Sequence, residues 1–301
     1  MKVLVTGAGG MLGADLYHEL SSCFDVTGTG RNPSSLNRYV QADLTSPKNV
    51  SEVFSQVQPS VVIHAAAMTD VDGCEGRSAE AALINFDMTR FVADEANRAG
   101  ALLIFFSTDY VFSGHTAGEL TEDESRNPLN VYGETKLSAE KYIEQNSKEY
   151  VIFRITWLYG INGKSFPRTI LEKARTQKVF DIVHDQIGRP TYTRDVASAI
   201  RKLLTDNSFT FEKNRNSVYH LGNNGSVSWA DFADYIFKNS GHSDLSINRI
   251  TAKILNRPAK RPENSVLCLN KIKNTLHVEL RPWNSAILDF INEFQRQDVS
   301  A

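Results

Sequence analysis

The chain has 301 residues, a formal net charge of −2 at pH 7 and 23% charged residues. With no basic tract and no apolar run near the length of a membrane span, the sequence indicates a protein that binds neither nucleic acid nor membranes. Its three cysteines, Cys23, Cys74 and Cys268, are odd in number and widely spaced, which argues against a disulfide framework and for a reducing compartment. Because Met1 leads into an apolar strand without a signal peptide, we expect a cytoplasmic location.

The first thirteen residues predict a phosphate-binding turn. A short β-rich apolar run over 3–5 precedes Gly7, Gly10 and Gly13, and an amphipathic helix is predicted from Met11 onward. Gly7 would allow a sharp turn, Gly10 would let backbone amides approach a pyrophosphate, and Gly13 would let the helix pack closely on the sheet. An ordinary strand-to-helix turn is the alternative, but strand, turn and helix together at the N-terminus favour a dinucleotide site.

The end of the second predicted strand, over 24–29, is where the adenosine ribose of such a cofactor is expected. An acidic residue there would accept a hydrogen bond from the 2′-hydroxyl of NAD, whereas this chain has Gly30 and Arg31. Because an arginine suits a 2′-phosphate, NADPH is favoured and NADH is the alternative. The other interpretation of Arg31 is a solvated loop cation.

Two further segments are predicted near the cofactor. Asp43 precedes a helix that Ser46 is expected to cap and Pro47 to begin, so its carboxylate could accept from the adenine amino group or serve only the helix start. The apolar strand over 60–64 ends in three alanines at 65–67. Such small residues leave room for a cofactor at the carboxyl edge of a parallel sheet, although a tightly packed turn would also use them.

A proton donor is predicted on a later helix. The strand over 102–106 runs into the Ser-Thr-Asp segment 107–109, which places hydroxyls and a carboxylate at the same sheet edge. A helix beginning near Asn130 then carries Tyr132 and Lys136 four residues apart, on one face, where the ammonium could stabilise a phenolate. Chance alone gives about one such spacing in this composition, so the pair gains weight only from its position after the glycine turn and the hydroxyls.

Alternating strands and helices predict an α/β fold: a Rossmann-type doubly wound parallel sheet with a smaller mixed α/β substrate-binding domain. We place the cofactor-binding domain at 1–160 and the smaller lobe at 161–301, with part of 195–225 returning to the Rossmann domain. In the second half, Arg257 and Arg261 could grip phosphate groups bidentately or lie in a solvated loop.

Three motifs together resemble the extended short-chain dehydrogenase/reductases: the glycine turn 7–13, the Ser-Thr-Asp-Tyr-Val-Phe segment 107–112, and Tyr132-x-x-x-Lys136. More narrowly, the chain resembles the dTDP-4-dehydrorhamnose reductase family nearly from end to end. The further segments that resemble this family are 64–75, 154–159, 185–191 and 261–265.

The resemblance implies NADPH-dependent reduction of the C4 keto group of a nucleotide-linked 4-keto-6-deoxyhexose, which in that family converts dTDP-4-dehydro-β-L-rhamnose into dTDP-L-rhamnose. Tyr132 would donate the proton, Lys136 would lower the pKa of that phenol and hold the nicotinamide ribose, and Thr108 would hydrogen-bond the carbonyl. Substrate contacts are implied for Thr108, Asp109, Trp157 and Arg261, and the resemblance admits a homodimer. The full set of predicted cofactor contacts is Gly7, Gly10, Met11, Leu12, Gly13, Arg31, Asp43, Leu44, Ala65, Ala66, Ala67, Thr69, Ser107, Tyr132 and Lys136.

Three alternatives stay open at this point. Epimerases and dehydratases share the fold, but the dehydratases usually have a Glu where this chain has Tyr110. The regulatory subunit of methionine adenosyltransferase resembles these reductases and binds NADP without catalysis, whereas intact Thr108, Tyr132 and Lys136 favour an enzyme. A related reductase acting on another nucleotide deoxysugar is the third.

Several positions depart from the family pattern. His64 and Met68 stand where the family usually has an Asn and an aromatic or His, and Asp70 and Arg189 occupy small-residue positions. We expect these changes to lie near the sugar and the nicotinamide. Some family members dimerise around Mg²⁺, and Asp15 lies where one ligand would be; since a lone helical Asp is usually solvated, we predict no metal.

Overall fold

The computed structural model describes residues 1–206 and 210–300. The strands are β1 (Lys2–Thr6), β2 (Asp25–Gly30), β3 (Tyr39–Gln41), β4 (Val61–His64), β5 (Leu102–Thr108), β6 (Tyr150–Ile155), β7 (Leu158–Tyr159), β8 (Val179–Val183), β9 (Ile187–Gly188), β10 (Thr191–Tyr192), β11 (Ser217–His220), β12 (Asn223–Asn224), β13 (Val227–Ser228), β14 (Ser246–Ile250), β15 (Asn264–Ser265) and β16 (Leu280–Pro282). The helices are α1 (Met11–Ser21), α2 (Pro47–Val57), α3 (Val71–Gly76), α4 (Ser78–Ala82), α5 (Met88–Ala99), α6 (Val131–Asn146), α7 (Phe166–Ala174), α8 (Thr193–Thr205), α9 (Thr210–Lys213), α10 (Trp229–Asn239), α11 (Ala252–Leu255), α12 (Asn270–Leu276) and α13 (Trp283–Ser300).

The main sheet is parallel and doubly wound. Within the described residues it has seven strands in the order β11-β6-β5-β4-β1-β2-β3, and each neighbouring pair runs parallel. The chain winds outward from β1 through β2 to β3, and from β4 through β5 to β6 in the opposite direction. Ligands bind such sheets at the carboxyl ends of the strands, where the direction reverses. The predicted Rossmann-type α/β fold is confirmed.

Helices cover both faces of this sheet, which explains why its strands are apolar on both sides. Val3, Val5 and Ile104 point into a core shared with α1 and α8. The alternate residues Leu4 and Leu103 point into the opposite core, shared with α2, α5 and α6. Because side chains alternate along a strand, a run such as 3–5 supplies both cores.

A late segment of the chain returns to this sheet. Helix α8 packs against α1, and β11 pairs in parallel with β6, placing Val218 opposite Ile152. The segment therefore completes the sheet edge beyond β6. The domain boundary at residue 160 stays a prediction.

The remaining residues build a smaller mixed α/β layer. Helices α7, α10 and α13 enclose a core that includes Phe180, Phe232 and Phe290. Strands β14 and β8 form a parallel pair beside it, and β13, β9 and β15 form a short three-stranded sheet in the described chain.

Helices α4 and α5 are joined by a π-helical turn, Leu83–Asp87. Such turns are frequent at functional sites because they redirect one side chain out of the helical repeat. Here Asn85 lies in the turn and is buried. Among residues 1–206 and 210–300, we find no helix both long and apolar enough to cross a membrane.

Candidate active site

The glycine turn between β1 and α1 packs directly against the end of β4. Gly7 has φ +66°, and a Cβ there would lie 2.8 Å from the Cα of Ala66. A Cβ on Gly13 would lie 2.0 Å from the carbonyl oxygen of Gly7, so only glycine lets α1 approach the turn this closely. These contacts match the sharp turn and the close helix packing predicted for the two residues.

A cleft of about 640 Å³ opens above this turn at the carboxyl edge of the sheet. The predicted cofactor residues that line it are Gly7, Gly10, Arg31, Asp43, Leu44, Ala65, Ala66 and Ala67. Among the described residues, Met11, Leu12, Gly13, Thr69, Ser107, Tyr132 and Lys136 are not part of this wall. Glycine amides at the N-terminus of α1 and small alanines after β4 fit a dinucleotide, so the cleft suits the predicted cofactor.

Asp43 serves the helix start while it faces this cleft. Its Oδ1 accepts hydrogen bonds from the Thr45 backbone N–H at 3.1 Å and from the Thr45 hydroxyl at 2.7 Å. These bonds hold the pKa of the Asp43 carboxyl below its ordinary value. Ser46 caps α2 and Pro47 begins it, so both predictions for the helix start are confirmed.

Tyr132 lies between two walls of the site. Its ring meets the ring of Tyr110 edge to face, with centroids 5.7 Å apart, and it packs against the buried cluster containing Met68 and Cys74. The hydroxyl of Thr108 lies beside the phenol and acts to lower its pKa. Burial nevertheless dominates and raises the pKa of Tyr132.

Lys136 follows Tyr132 by one helical turn but makes contacts of its own. Its Nζ donates a hydrogen bond to the carbonyl oxygen of Phe106 at 2.7 Å and lies 4.0 Å from the centroid of the Phe105 ring. Burial lowers the pKa of Lys136 to about 7. The ammonium is engaged at β5 in this arrangement, and the expectation that Lys136 lowers the pKa of Tyr132 stays a prediction.

A buried ion pair one turn further along α6 supports the lysine, and sequence reasoning missed it. Glu140 accepts two hydrogen bonds from the Arg154 guanidinium, from Nε at 2.9 Å and from Nη2 at 2.8 Å. Both side chains are almost wholly buried, and the negative charge of Glu140 raises the pKa of Lys136 against the effect of burial. The signal was present in the sequence, since Tyr132, Lys136 and Glu140 recur every four residues on one helical face.

Thr108, the last residue of β5, and Asp109, which follows it, have different environments. Thr108 accepts a hydrogen bond from the Tyr110 backbone N–H at 3.2 Å and donates one to Asp109 Oδ1 at 3.1 Å. Asp109 is only 4% exposed and lies behind Thr108, outside both cleft walls of the described chain. Ser107, also predicted at the cofactor, is buried next to Glu140.

A second cleft, of about 710 Å³, lies between the main sheet and the smaller layer. Its wall includes Tyr110, Phe166, Trp229 and Arg261. Trp157 lies immediately behind Trp229, with the two rings stacked at a centroid distance of 3.5 Å and 11° between their planes. The wall is therefore aromatic on one side and cationic on the other, which suits a nucleotide sugar.

Trp157 is held in an uncommon backbone conformation. Its φ is +47°, in the left-handed region that bulky residues seldom adopt. A Cβ on Gly188 would lie 2.3 Å from the Trp157 ring, so the indole sits between Gly188 and Trp229. Packing on both sides fixes the ring in place.

Arg261 is part of an ion pair that joins the two layers. Its guanidinium donates to both carboxylate oxygens of Asp72, at 3.0 and 2.9 Å. Arg257 approaches the same carboxylate at 3.6 Å, and the backbone N–H of Ala259 donates to it at 3.2 Å. Arg261 is thus not a solvated loop cation, and Asp72 is a contact that the sequence did not predict.

Asn85 ties the loop after β4 to α6. Its Oδ1 accepts from the Met68 backbone N–H at 2.8 Å, while its Nδ2 donates to the Met68 carbonyl oxygen and to the Thr135 hydroxyl, each at 3.1 Å. Thr135 in turn donates to the carbonyl oxygen of Tyr132 at 2.8 Å. Asn85 was missed because its partners are distant in sequence.

Three of the four departures from the family pattern do not line either cleft in the described chain. His64 is buried between the hydroxyls of Thr6 and Thr89, at 2.7 and 3.0 Å. Asp70 caps α3. Arg189 is buried and its guanidinium donates hydrogen bonds to backbone carbonyl oxygens. Our expectation that these residues lie near the sugar and the nicotinamide stays a prediction. Met68 does line the cofactor cleft.

Asp15 is buried, contrary to the expectation that it is solvated. It is 7% exposed, accepts hydrogen bonds from the Thr193 hydroxyl and the Asn162 amide, and burial raises the pKa of its carboxyl. Among residues 1–206 and 210–300, no group of three or more His, Cys, Asp and Glu side chains is placed to hold a metal ion.

A doubly wound parallel sheet, a glycine turn at the start of its first helix and a Tyr-x-x-x-Lys pair on a later helix define the short-chain dehydrogenase/reductase class. Within this class, the family model "RmlD substrate binding domain" matches residues 1–296. The chain therefore belongs to that family, whose members include dTDP-4-dehydrorhamnose reductases.

Individual relatives agree along nearly the whole length. A dTDP-4-dehydrorhamnose reductase of Burkholderia thailandensis is 33% identical over 95% of this chain and 97% of its own. A structure of the enzyme of that name from Clostridium acetobutylicum has a TM-score of 0.87 at 34% identity, over 98% of this chain and 100% of its own. A Bacillus anthracis structure of the same name, in complex with NADP, has a TM-score of 0.85 at 31% identity, over 97% and 100%.

Proposed function

We propose that this chain is an oxidoreductase that uses NADPH to reduce the C4 keto group of a nucleotide-linked 4-keto-6-deoxyhexose. The substrate we assign is dTDP-4-dehydro-β-L-rhamnose and the product dTDP-L-rhamnose, a precursor for polysaccharide synthesis. The observation that carries the proposal is the position of Tyr132, which packs against Tyr110 of the larger cleft and against the buried cluster that includes Met68 of the smaller one. Family membership and the NADP complex of the Bacillus anthracis relative support it.

The residues of the smaller cleft would hold the cofactor. The glycine turn would offer backbone N–H groups to the pyrophosphate, and the alanines at 65–67 leave space along the sheet edge. Arg31, in the wall of the same cleft, would meet a 2′-phosphate. When bound, reduced nicotinamide supplies the hydride. Contacts from Met11, Leu12, Gly13, Thr69 and Ser107 stay predictions.

The chain's own groups would then control the proton. The Tyr132 hydroxyl donates a proton to the carbonyl oxygen as that oxygen becomes an alkoxide. Because burial raises the pKa of Tyr132, the phenol stays protonated until this charge develops. Thr108 is close enough to the phenol to share the same oxygen, and its hydroxyl would stabilise the developing negative charge.

The larger cleft would bind the nucleotide sugar. Trp229 and Phe166 present aromatic faces, Trp157 braces Trp229, and Arg261 presents a cation for the diphosphate. A direct sugar contact by Asp109 stays a prediction, as do the homodimer and the cytoplasmic location.

The test is the loss of reduced-nicotinamide absorbance on adding dTDP-4-dehydro-β-L-rhamnose, with NADPH and NADH in parallel. We expect substrate-dependent oxidation that is faster with NADPH and is abolished in Tyr132→Phe, while that variant keeps its affinity for NADPH. If NADPH binds but is not consumed, the regulatory-subunit alternative or another sugar becomes the leading interpretation. Equal losses of turnover and cofactor affinity in Tyr132→Phe would mark the residue as structural.

A further inference from the structure

The carboxyl group of Asp109 is buried directly behind the two hydroxyls that would act on the substrate. Its Oδ1 accepts a hydrogen bond from the Thr108 hydroxyl, and the Thr108 side chain lies beside the Tyr132 phenol. Thr156 and Ser265 bring hydroxyls beside the carboxyl, yet no described residue makes a hydrogen bond of normal geometry to Oδ2. Asp109 thus has one partner on the side of the site and an unsatisfied oxygen on the other.

The hydrogen bonds of Thr108 can be counted. A hydroxyl has one hydrogen to donate and two lone pairs that accept. When Asp109 is ionised it can only accept, so the Thr108 hydrogen is given to Oδ1. One Thr108 lone pair takes the Tyr110 backbone N–H. In this state Thr108 has no hydrogen to direct at a substrate carbonyl.

Protonation of Asp109 reverses this chain. The carboxylic acid becomes a donor to Thr108, which now accepts from Asp109 and from the Tyr110 N–H. Both lone pairs of Thr108 are then occupied, and its own hydrogen is released toward the substrate oxygen. We propose that Asp109 is a positioning residue whose protonation turns the hydroxyl hydrogen of Thr108 toward the carbonyl to be reduced.

The surroundings of Asp109 permit this protonation. Burial raises the pKa of its carboxyl to about 6, against the opposing effect of the neighbouring hydroxyls. The titratable side chains that face it are the phenols of Tyr110, on the same turn, and Tyr132, on α6, and burial raises the pKa of both. Arg261 reaches Tyr110, while β15 and the residue after β6 contribute only the hydroxyls of Ser265 and Thr156.

This proposal rests on the proposed reductase activity, and Asp109→Asn tests it. The asparagine keeps the shape and is permanently neutral, with an N–H to donate to Thr108. We expect the ratio of kcat/KM for Asp109→Asn to that of the wild type to be level below pH 6 and to rise roughly tenfold for each pH unit above it. Lys136 is present in both proteins, so its own titration cancels in the ratio. A ratio that does not change with pH, or an Asp109→Asn protein that folds and binds NADPH but is inactive at every pH, would overturn the proposal.

A second measurement needs no activity and no Asp109 variant. Infrared spectra of the wild type, titrated from pH 8 to 4.5, should show the carbonyl band of a carboxylic acid appearing near pH 6. In Thr108→Val the carboxylate loses its donor, so this band should appear at a higher pH. The same midpoint in both proteins would overturn the proposal. A shifted midpoint in a protein that does not oxidise NADPH with the sugar would leave the hydrogen-bond chain intact and refute the proposed function instead.

Discussion

The ammonium of Lys136 donates to the carbonyl oxygen of Phe106, one strand position from the Phe105 ring that it also covers. The buried lysine is therefore held by a backbone acceptor and an aromatic face, while Glu140 offers charge from one helical turn away. Tertiary contacts to β5, in addition to the helical spacing from Tyr132, decide where the charge lies.

This burial makes the stability of the protein sensitive to alkaline pH. The pKa of Lys136 is about 7 in the folded chain against an ordinary 10.5, so between these values the unfolded chain holds a proton that the folded chain lacks. The free energy of unfolding of the wild type should rise relative to Lys136→Met from pH 7 to 9, by at most about 1.4 kcal/mol per pH unit. Urea unfolding at several pH values measures this. A constant difference between the two proteins would show that Lys136 keeps its charge.

His64 should make the protein sensitive to acid. Burial lowers its pKa to about 3, compared with 6.5 for an ordinary histidine, so the unfolded chain takes up a proton between these values and stability falls as the pH drops from 6.5 toward 3. In His64→Asn this loss should be smaller by up to about 1.4 kcal/mol per pH unit, whatever the variant costs at neutral pH. Unfolding curves at pH 4.5, 5.5 and 7 test the slope. Parallel slopes in the two proteins would refute the assignment.

The position of Trp157 should control affinity for the sugar nucleotide. In Gly188→Ala the new methyl group would collide with the indole and displace it from Trp229. We expect KM for the sugar nucleotide to rise roughly tenfold, corresponding to about 1.4 kcal/mol, with the Kd for NADPH unchanged. Gly76→Ala is the matched control, since a Cβ there meets nothing within 4 Å. Similar KM values in the two variants would show that the position of Trp157 does not affect substrate binding.

For affinity for the sugar nucleotide, the paired hydrogen bonds of the Arg261 guanidinium should matter more than its charge. Arg261→Lys keeps the cation but loses the paired hydrogen bonds to Asp72, so we expect KM for the sugar nucleotide to rise roughly tenfold with little change in kcat. Arg257→Lys is the control, because Arg257 is half exposed and only approaches Asp72 at 3.6 Å. Steady-state kinetics on both variants decide the matter. Equal changes of KM in the two variants would mean that this wall of the cleft requires only positive charge and not the paired hydrogen bonds.

Local patterns allowed much of the site to be predicted. The glycine turn, the cap by Ser46 and the shared face of Tyr132 and Lys136 all follow from spacings of three or four residues. At this range the chain itself fixes which groups are neighbours. The strands followed from apolar runs in the same way, because a covered parallel sheet buries both faces of each strand.

The contacts that could not be predicted join distant parts of the chain. Asp72 and Arg261 are 189 residues apart in sequence, and Asn85 and Thr135, which are hydrogen-bonded, are 50 residues apart. The engagement of Lys136 by Phe106 and the left-handed conformation of Trp157 likewise depend on how packed layers meet. Pairing of this kind is set by tertiary structure, which periodicity in one sequence does not encode.

The place of β11 at the edge of the main sheet has a consequence for how the protein is made. During synthesis from the N-terminus, β6 is made well before residues 217–220. Until those residues are made, the backbone N–H and C=O groups on the outer side of β6 have no strand to pair with. The sheet closes only after the intervening elements, among them α7 and β8 to β10 of the smaller layer, have been made, and β6 is until then an unprotected edge. A chain cut after residue 206 would keep this edge open permanently, and we expect it to aggregate where the whole chain folds.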